Sequence, residues 1–319
     1  MKSLFLTILM LSFLIISGCW SAARIDVDTD SADIYSLDSD TLESKTSDSD
    51  TADSDTFNNF KIDSDTSDSS EYDSDKFEFS FISVWKTDNP GTSDDNQITL
   101  PLASNGNYDF TVDWGDNTED LIYVGMDLAK THIYAKPGTY TVSITGSLSG
   151  WSFNNSGDKE KIIEIKNWGP LSFGDTTGQF FGCANLNITA KDQPDLSKTK
   201  SLSNAFKLCN SLVGNSSFSS WDTSTITDMS YMFAHDYFFN QDISSWDTSK
   251  VTNMRGMFLG SKLSVDNYDA LLIGWESQSK QENIVFDGGY SQYSSQDAAG
   301  SRTRLIKYYY WKIIDNGQL

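Results

Sequence analysis

The sequence predicts a mainly β chain with short helices, an α+β protein in which a small β-sandwich leads into a short repeat solenoid closed by a helical cap. Three observations carry this. Between residues 77 and 150, short stretches of alternating apolar residues are separated by Gly, Pro, Asn and Asp turns. From Trp168 onward the chain repeats itself with apolar residues at fixed phase. After Ser264 the apolar spacing changes to that of an amphipathic helix.

The N-terminal end speaks to compartment. Met1-Lys2 is a short basic start, and Leu4 to Ile16 is almost unbroken apolar sequence. At about 1.5 Å per residue such a run falls short of a hydrocarbon core of about 30 Å, so residues 1–18 read as a signal peptide and not as a membrane span. The run Ile16-Ser17-Gly18-Cys19 resembles the bacterial lipobox. That resemblance implies cleavage before Cys19, lipid on its thiol and a membrane contact made by acyl chains. Trp20, standing where Asp would retain a lipoprotein at the inner membrane, implies the outer membrane or cell surface.

Residues 19–76 read as an acidic tether. Between Asp26 and Asp75 seventeen acidic residues face two lysines, a net of −15 out of the chain's −22. Asp38-Ser39-Asp40-Thr41 and Asp53-Ser54-Asp55-Thr56 show the underlying repeat. So few apolar side chains cannot offset the entropy of ordering, and disorder is expected. Alternating carboxylates can collect Ca2+ weakly, yet nothing fixes the six to eight oxygens of a specific site. No cofactor is therefore expected. Nucleic acid is excluded as a partner by the strongly negative charge.

The sandwich, residues 77–150, opens with Phe77, Phe79, Phe81 and Trp85 on one alternating strand. A strand near Gln97 to Leu102 follows, then Tyr108 to Trp114, ending in the turn Gly115-Asp116-Asn117. His132-Ile133-Tyr134, the turn Lys136 to Thr139, and Tyr140, Val142 and Ile144 complete the set. The residues Val112-Asp113-Trp114-Gly115-Asp116, Thr131 to Tyr134 and Pro137 to Val142 resemble the PKD family of Ig-like sandwiches. That resemblance implies an extracellular spacer or binding module. His132 with Asp113 and Asp116 is weighed as a metal or catalytic group and read as a hydrogen-bonded strand residue.

The solenoid, residues 151–263, holds about four coils. Trp221 to Phe233 matches Trp246 to Phe258 at an offset of 25, and weaker copies start at Trp168 and Pro194. Each copy places a phenylalanine twelve positions after its start: Phe180, Phe206, Phe233 and Phe258. Strands are expected near Asn185 to Ile188, Ser211 to Val213 and Asn240 to Ile243. Helical turns are expected to carry Met229, Met232 and Phe233, then Met254, Met257 and Phe258, into the core. Asp222 and Asp247 read as turn hydrogen-bonders. The run Phe239 to Phe258 is similar to the hallmark of the BspA-like, or DUF285, leucine-rich-repeat family of bacterial surface proteins, a likeness extending over about residues 168–315. It implies an LRR-like solenoid used for adhesion or protein binding. Cys183 and Cys209 occupy equivalent phases in neighbouring coils, where they can form a disulfide or remain buried thiols.

In the cap, residues 264–319, Ser264 is placed to cap a helix bearing Tyr268, Leu271, Leu272 and Trp275 on one face. A strand near Ile284 to Phe286 and a basic helix over Ala298 to Tyr309 follow. No Gly-x-Ser-x-Gly run, P-loop or His/Cys metal spacing is present, so a non-enzymatic role is expected, with an extracellular protein or a glycan as partner. Candidate contacts are Tyr237, Phe238, Asn240 and Gln241 on the solenoid. Trp151 joins them if the ligand is a carbohydrate and the chain an accessory module of extracellular degradation.

Overall fold

The computed structural model describes residues 79–124 and 130–319. The signal segment with Cys19, the whole of the tether, and Phe77 lie outside them. The described chain is mainly β with two helices, as the alternation and the repeat predict.

Strand β1 (Phe81–Lys86) lies inside a seven-stranded sheet whose path runs β4 (Glu119–Tyr123), β3 (Leu102–Asp113), β6 (Thr139–Trp151), β1, β7 (Ile162–Asn167) and β9 (Asn187–Ile188). β8 (Leu171–Ser172) branches from β6. A separate pair, β2 (Gln97–Thr99) and β5 (Thr131–Ile133), brings Ile98 and the neighbouring Tyr134 into the core. The expected in-and-out alternation along β1 is not what forms. Phe81 through Trp85 are all buried, because a strand covered on both faces carries no solvent side. Phe79, expected in that alternation, precedes the strand and is 75% exposed.

The sheet passes without a break into the repeats. β7 pairs antiparallel with β1 and parallel with β9, while Ser172 of β8 bridges to Asp195. One connected hydrophobic core runs from Phe81 to Trp311. Its spine is a file of stacked rings. Phe180–Phe206, Phe206–Phe233 and Phe233–Phe258 lie 5.5, 5.8 and 5.5 Å apart, with planes within 17° of parallel. Trp221 stacks on Trp246 beside it.

The helical turns expected at these phenylalanines are replaced by a ribbon of consecutive turns. The N–H groups of Leu202, Asn204, Phe206 and Leu208 donate across to the carbonyls of Asp228, Ser230, Met232 and Ala234. The intervening N–H groups of Ala205, Lys207 and Cys209 fold back to Leu202, Asn204 and Phe206. Met229 to Asp236 repeats the scheme against Asn253 to Leu259. Such a path needs two left-handed residues per coil, four apart: Gly178 and Gly182, Asn204 and Leu208, Tyr231 and His235, Gly256 and Gly260. A helix would keep every bond internal, whereas here half of the donors tie coil to coil. Met229, Met232, Phe233, Met254, Met257 and Phe258 are nonetheless all buried, as expected.

Of the three strands expected in the coils, only Asn187–Ile188 forms. Around 211–213 and 240–243 side-chain amides bridge instead. Asn187 Oδ1 accepts from the Val213 and Gly214 amides, and Gln241 Nε2 donates to the Val213 carbonyl. Asp222 and Asp247 accept from the amides of Ser224 and Ser249, the predicted turn bonds.

The stack closes as the helical spacing predicts. Helix α1 (Val265–Ser277) is capped by Ser264, whose hydroxyl accepts the Asn267 amide, and it buries Tyr268, Leu271, Leu272 and Trp275. β10 (Val285–Asp287) continues the ribbon through Phe258 N–H to Asp287 O. α2 (Gln296–Tyr309) follows, and a strand not foreseen, β11 (Lys312–Ile314), pairs parallel with β10 as the last rung.

Candidate interaction surface

The residues singled out from sequence separate into three groups. Tyr237 and Phe238 are 60% and 64% exposed at a coil corner, directly before the buried Phe239. The chain turns there because Phe233 and Phe239 stack at 3.9 Å, which pulls both flanking residues inward and leaves this pair outside. Asn240 and Gln241 lie beside them but are engaged in the stack. Asn240 Oδ1 accepts from the Ser264 amide and from Asn267 Nδ2, so its carboxamide holds α1 to the third coil. Trp151 belongs elsewhere. It is fully buried among Phe81, Trp85, Phe153 and Phe180, where sheet and coils meet, so its indole face cannot meet a sugar. That corrects its place among the surface candidates.

Cys183 and Cys209 are buried free thiols. Cys209 Sγ donates to the Phe180 carbonyl at 3.0 Å, and burial pushes both thiols well above their usual titration range. His132 behaves as a strand residue: its Nε2 lies 2.9 Å from Asp116 Oδ2, and its ring stacks on Trp114 at 4.7 Å. Asp113 is turned to the Gly115 amide. Among the described residues no cluster of three or more His, Cys, Asp and Glu could hold a metal. No helix among them is long and apolar enough to cross a membrane.

A groove that sequence reasoning missed opens on the outer face of the last rungs. It encloses about 440 Å³ and is lined by Tyr231, Arg255, Leu259, Val285, Asp287, Lys312 and Ile314. These residues come from four successive rungs of the ribbon, so no local motif announces them. Repeat phase does not announce them either: Tyr231 aligns with Gly256 and Arg255 with Ser230, and both of those counterparts are buried.

At the junction of sheet and coils a buried polar clamp fixes the loop before β2. Lys161 is fully buried, and its Nζ donates to Ser93 O, Ser93 Oγ, Asp94 O and Gln97 O at 2.8–3.0 Å. Asp158, also buried, accepts from the amides of Thr92, Ser93 and Thr99.

The described chain is thus a short, capped stack of coils of 25 to 27 residues grown from the edge of a β-sheet, with most of its aromatic residues in the core. Residues 174–289 match the family described as Mycoplasma protein of unknown function, DUF285, a stretch that runs from within the first coil through the cap as far as β10. No curated protein and no solved structure matches the chain.

Proposed function

We propose that this chain is a surface-anchored bacterial lipoprotein whose coil stack serves as a non-catalytic adhesion or protein-interaction module. The observation supporting it is the pair Tyr237–Phe238. Two adjacent aromatic residues stand more than half exposed at one coil corner, while most other large rings among the described residues are buried. Exposed aromatics on a preformed scaffold are the usual anchors of protein interfaces, since they bury large area at small entropic cost. The acidic segment 19–76 would serve as a spacer, and Cys19 as the lipid attachment point.

Binding of the purified chain to immobilised extracellular-matrix proteins and glycans, read by surface plasmon resonance, tests the proposal. A saturable signal that falls about tenfold or more in the Tyr237→Ala/Phe238→Ala variant is expected. Binding indifferent to both substitutions would remove this corner from the reading. Radiolabelled palmitate should enter the wild-type chain in cells and not Cys19→Ser; equal labelling would refute the anchor. The alternative, a carbohydrate-binding accessory module, loses its main support with the burial of Trp151.

A further inference from the structure

We infer that the groove on the last rungs is a binding site for an acidic peptide segment carrying aliphatic side chains. The inference deepens the reading of the chain as a protein-interaction module and names the chemistry of one partner.

Charge comes first. Arg255 and Lys312 are exposed in the groove, and Lys207 lies at its upstream edge with Nζ 5.2 Å from the Tyr231 ring centroid. Among the described residues none of the three makes an ion pair, although outside residues 26–75 the chain still carries a net charge of −7, that is −22 less −15. The one carboxylate in the lining, Asp287, has Oδ1 accepting the Gly289 amide. Cations left unneutralised in so acidic a molecule form a local complement to an anionic partner.

The walls decide which anion. Leu259, Val285 and Ile314 are 43%, 37% and 44% exposed, a cluster of aliphatic surface between the cations that an inorganic anion would leave wet. Anionic glycans are the competing class, and they need an open aromatic face for the pyranose ring. Tyr231 does not offer one. Lys207 Nζ stands 5.2 Å from its ring centroid, and a Cβ at Gly256 of the next coil would strike Cε1, so part of the ring is already in contact within the stack. A segment alternating carboxylates with aliphatic side chains satisfies both the charges and the walls.

The register supports an extended ligand. Val285 pairs with Lys312 and Asp287 with Ile314 across β10 and β11, placing these outward side chains in neighbouring rows. Along each strand the outward side chains recur every second residue, Val285 then Asp287 and Lys312 then Ile314, at about 6.6 Å, the spacing of side chains on one face of an extended ligand lying along the rungs.

The test uses the full chain and a fluorescein-labelled peptide of four Asp-Leu repeats, read by fluorescence anisotropy. A Lys-Leu peptide and polygalacturonate serve as comparison ligands. Saturable binding of the acidic peptide is expected, weakened by added salt, and weakened about tenfold by Arg255→Glu or Lys312→Glu. Both positions are exposed, and an unchanged thermal midpoint in each variant shows that the fold is intact; Arg255→Gln substitutes for either if a midpoint moves. Tyr237→Ala/Phe238→Ala should leave this binding unchanged, which separates failure of the groove from failure of the corner. Absence of saturable binding, equal binding by the charge-reversed variants, or preferential binding of polygalacturonate would each overturn the inference.

Discussion

Asp236 gives the ribbon a dependence on pH that a single substitution should abolish. Three residues after each stacked phenylalanine the coils carry Cys183, Cys209, Asp236 and Ser261 in one buried column. Cys209 Sγ donates to Phe180 O at 3.0 Å, and Ser261 Oγ donates to Phe233 O at 2.7 Å. The column therefore asks for a donor aimed at the carbonyl of the preceding coil. A carboxyl can be that donor only when protonated. Asp236 is fully buried and neither carboxyl oxygen has a partner, although its own N–H donates to Ser261 Oγ. Burial pushes its carboxyl well above the ordinary range.

The sign follows from linkage. The native state holds the proton more tightly than the unfolded chain, whose Asp titrates near 3.9, so the acid's contribution is fully present below about pH 4 and declines as pH rises through the native value. Within that window each pH unit removes about 1.4 kcal/mol. Asp236→Ser places the Ser261 solution at the same phase without an ionisable group. Urea unfolding of both proteins at pH 5, 6 and 7, followed by tryptophan fluorescence, isolates this group, because all other titrations are shared. The stability of Asp236→Ser relative to wild type should grow by about 1.4 kcal/mol per unit until the native value is passed. Parallel curves, with a difference independent of pH, would refute the reasoning.

Other outcomes follow from the same packing. Gly256→Ala should cost about 2 kcal/mol or more in the same unfolding assay, because φ is +66° there and the added methyl would strike the Tyr231 ring. Lys161→Met should lower stability by about 3 kcal/mol, since four hydrogen bonds of the ammonium are lost in a buried place while Gln97 O and Asp94 O keep only their second donors, Ser93 Oγ and the Gln97 amide; retention of the wild-type midpoint would show that water replaces the ammonium. Cys183 and Cys209 should resist alkylation in the native protein and react once it is unfolded without reductant, as read by mass spectrometry.

Residues 79–124 and 130–319 show what their own pattern could and could not announce. Burial was legible almost throughout. The phases of Phe180, Phe206, Phe233 and Phe258, the methionines beside them, the Ser264 cap and the four apolar residues of α1 all follow from spacing, because the side chains that leave water must recur with the period of the element that buries them. The Asx turns at Asp222 and Asp247 were legible for a local reason, a side chain bonding its own backbone two residues on.

What the tertiary structure decided is where each backbone donor goes. An i, i+3, i+4 apolar pattern serves a helical turn and a ribbon of consecutive turns equally well. The choice fell to the ribbon because a neighbouring coil supplies carbonyls at the right spacing, which no single repeat can reveal. The same holds for Trp151, which a linear reading leaves at a strand end and the junction of sheet with coils buries, and for the Arg255–Lys312 groove, whose members are more than fifty residues apart in the chain and adjoin only when the rungs stack. Sequence period determines which side chains leave water. Contacts between rungs determine the hydrogen-bond path and the surface that remains.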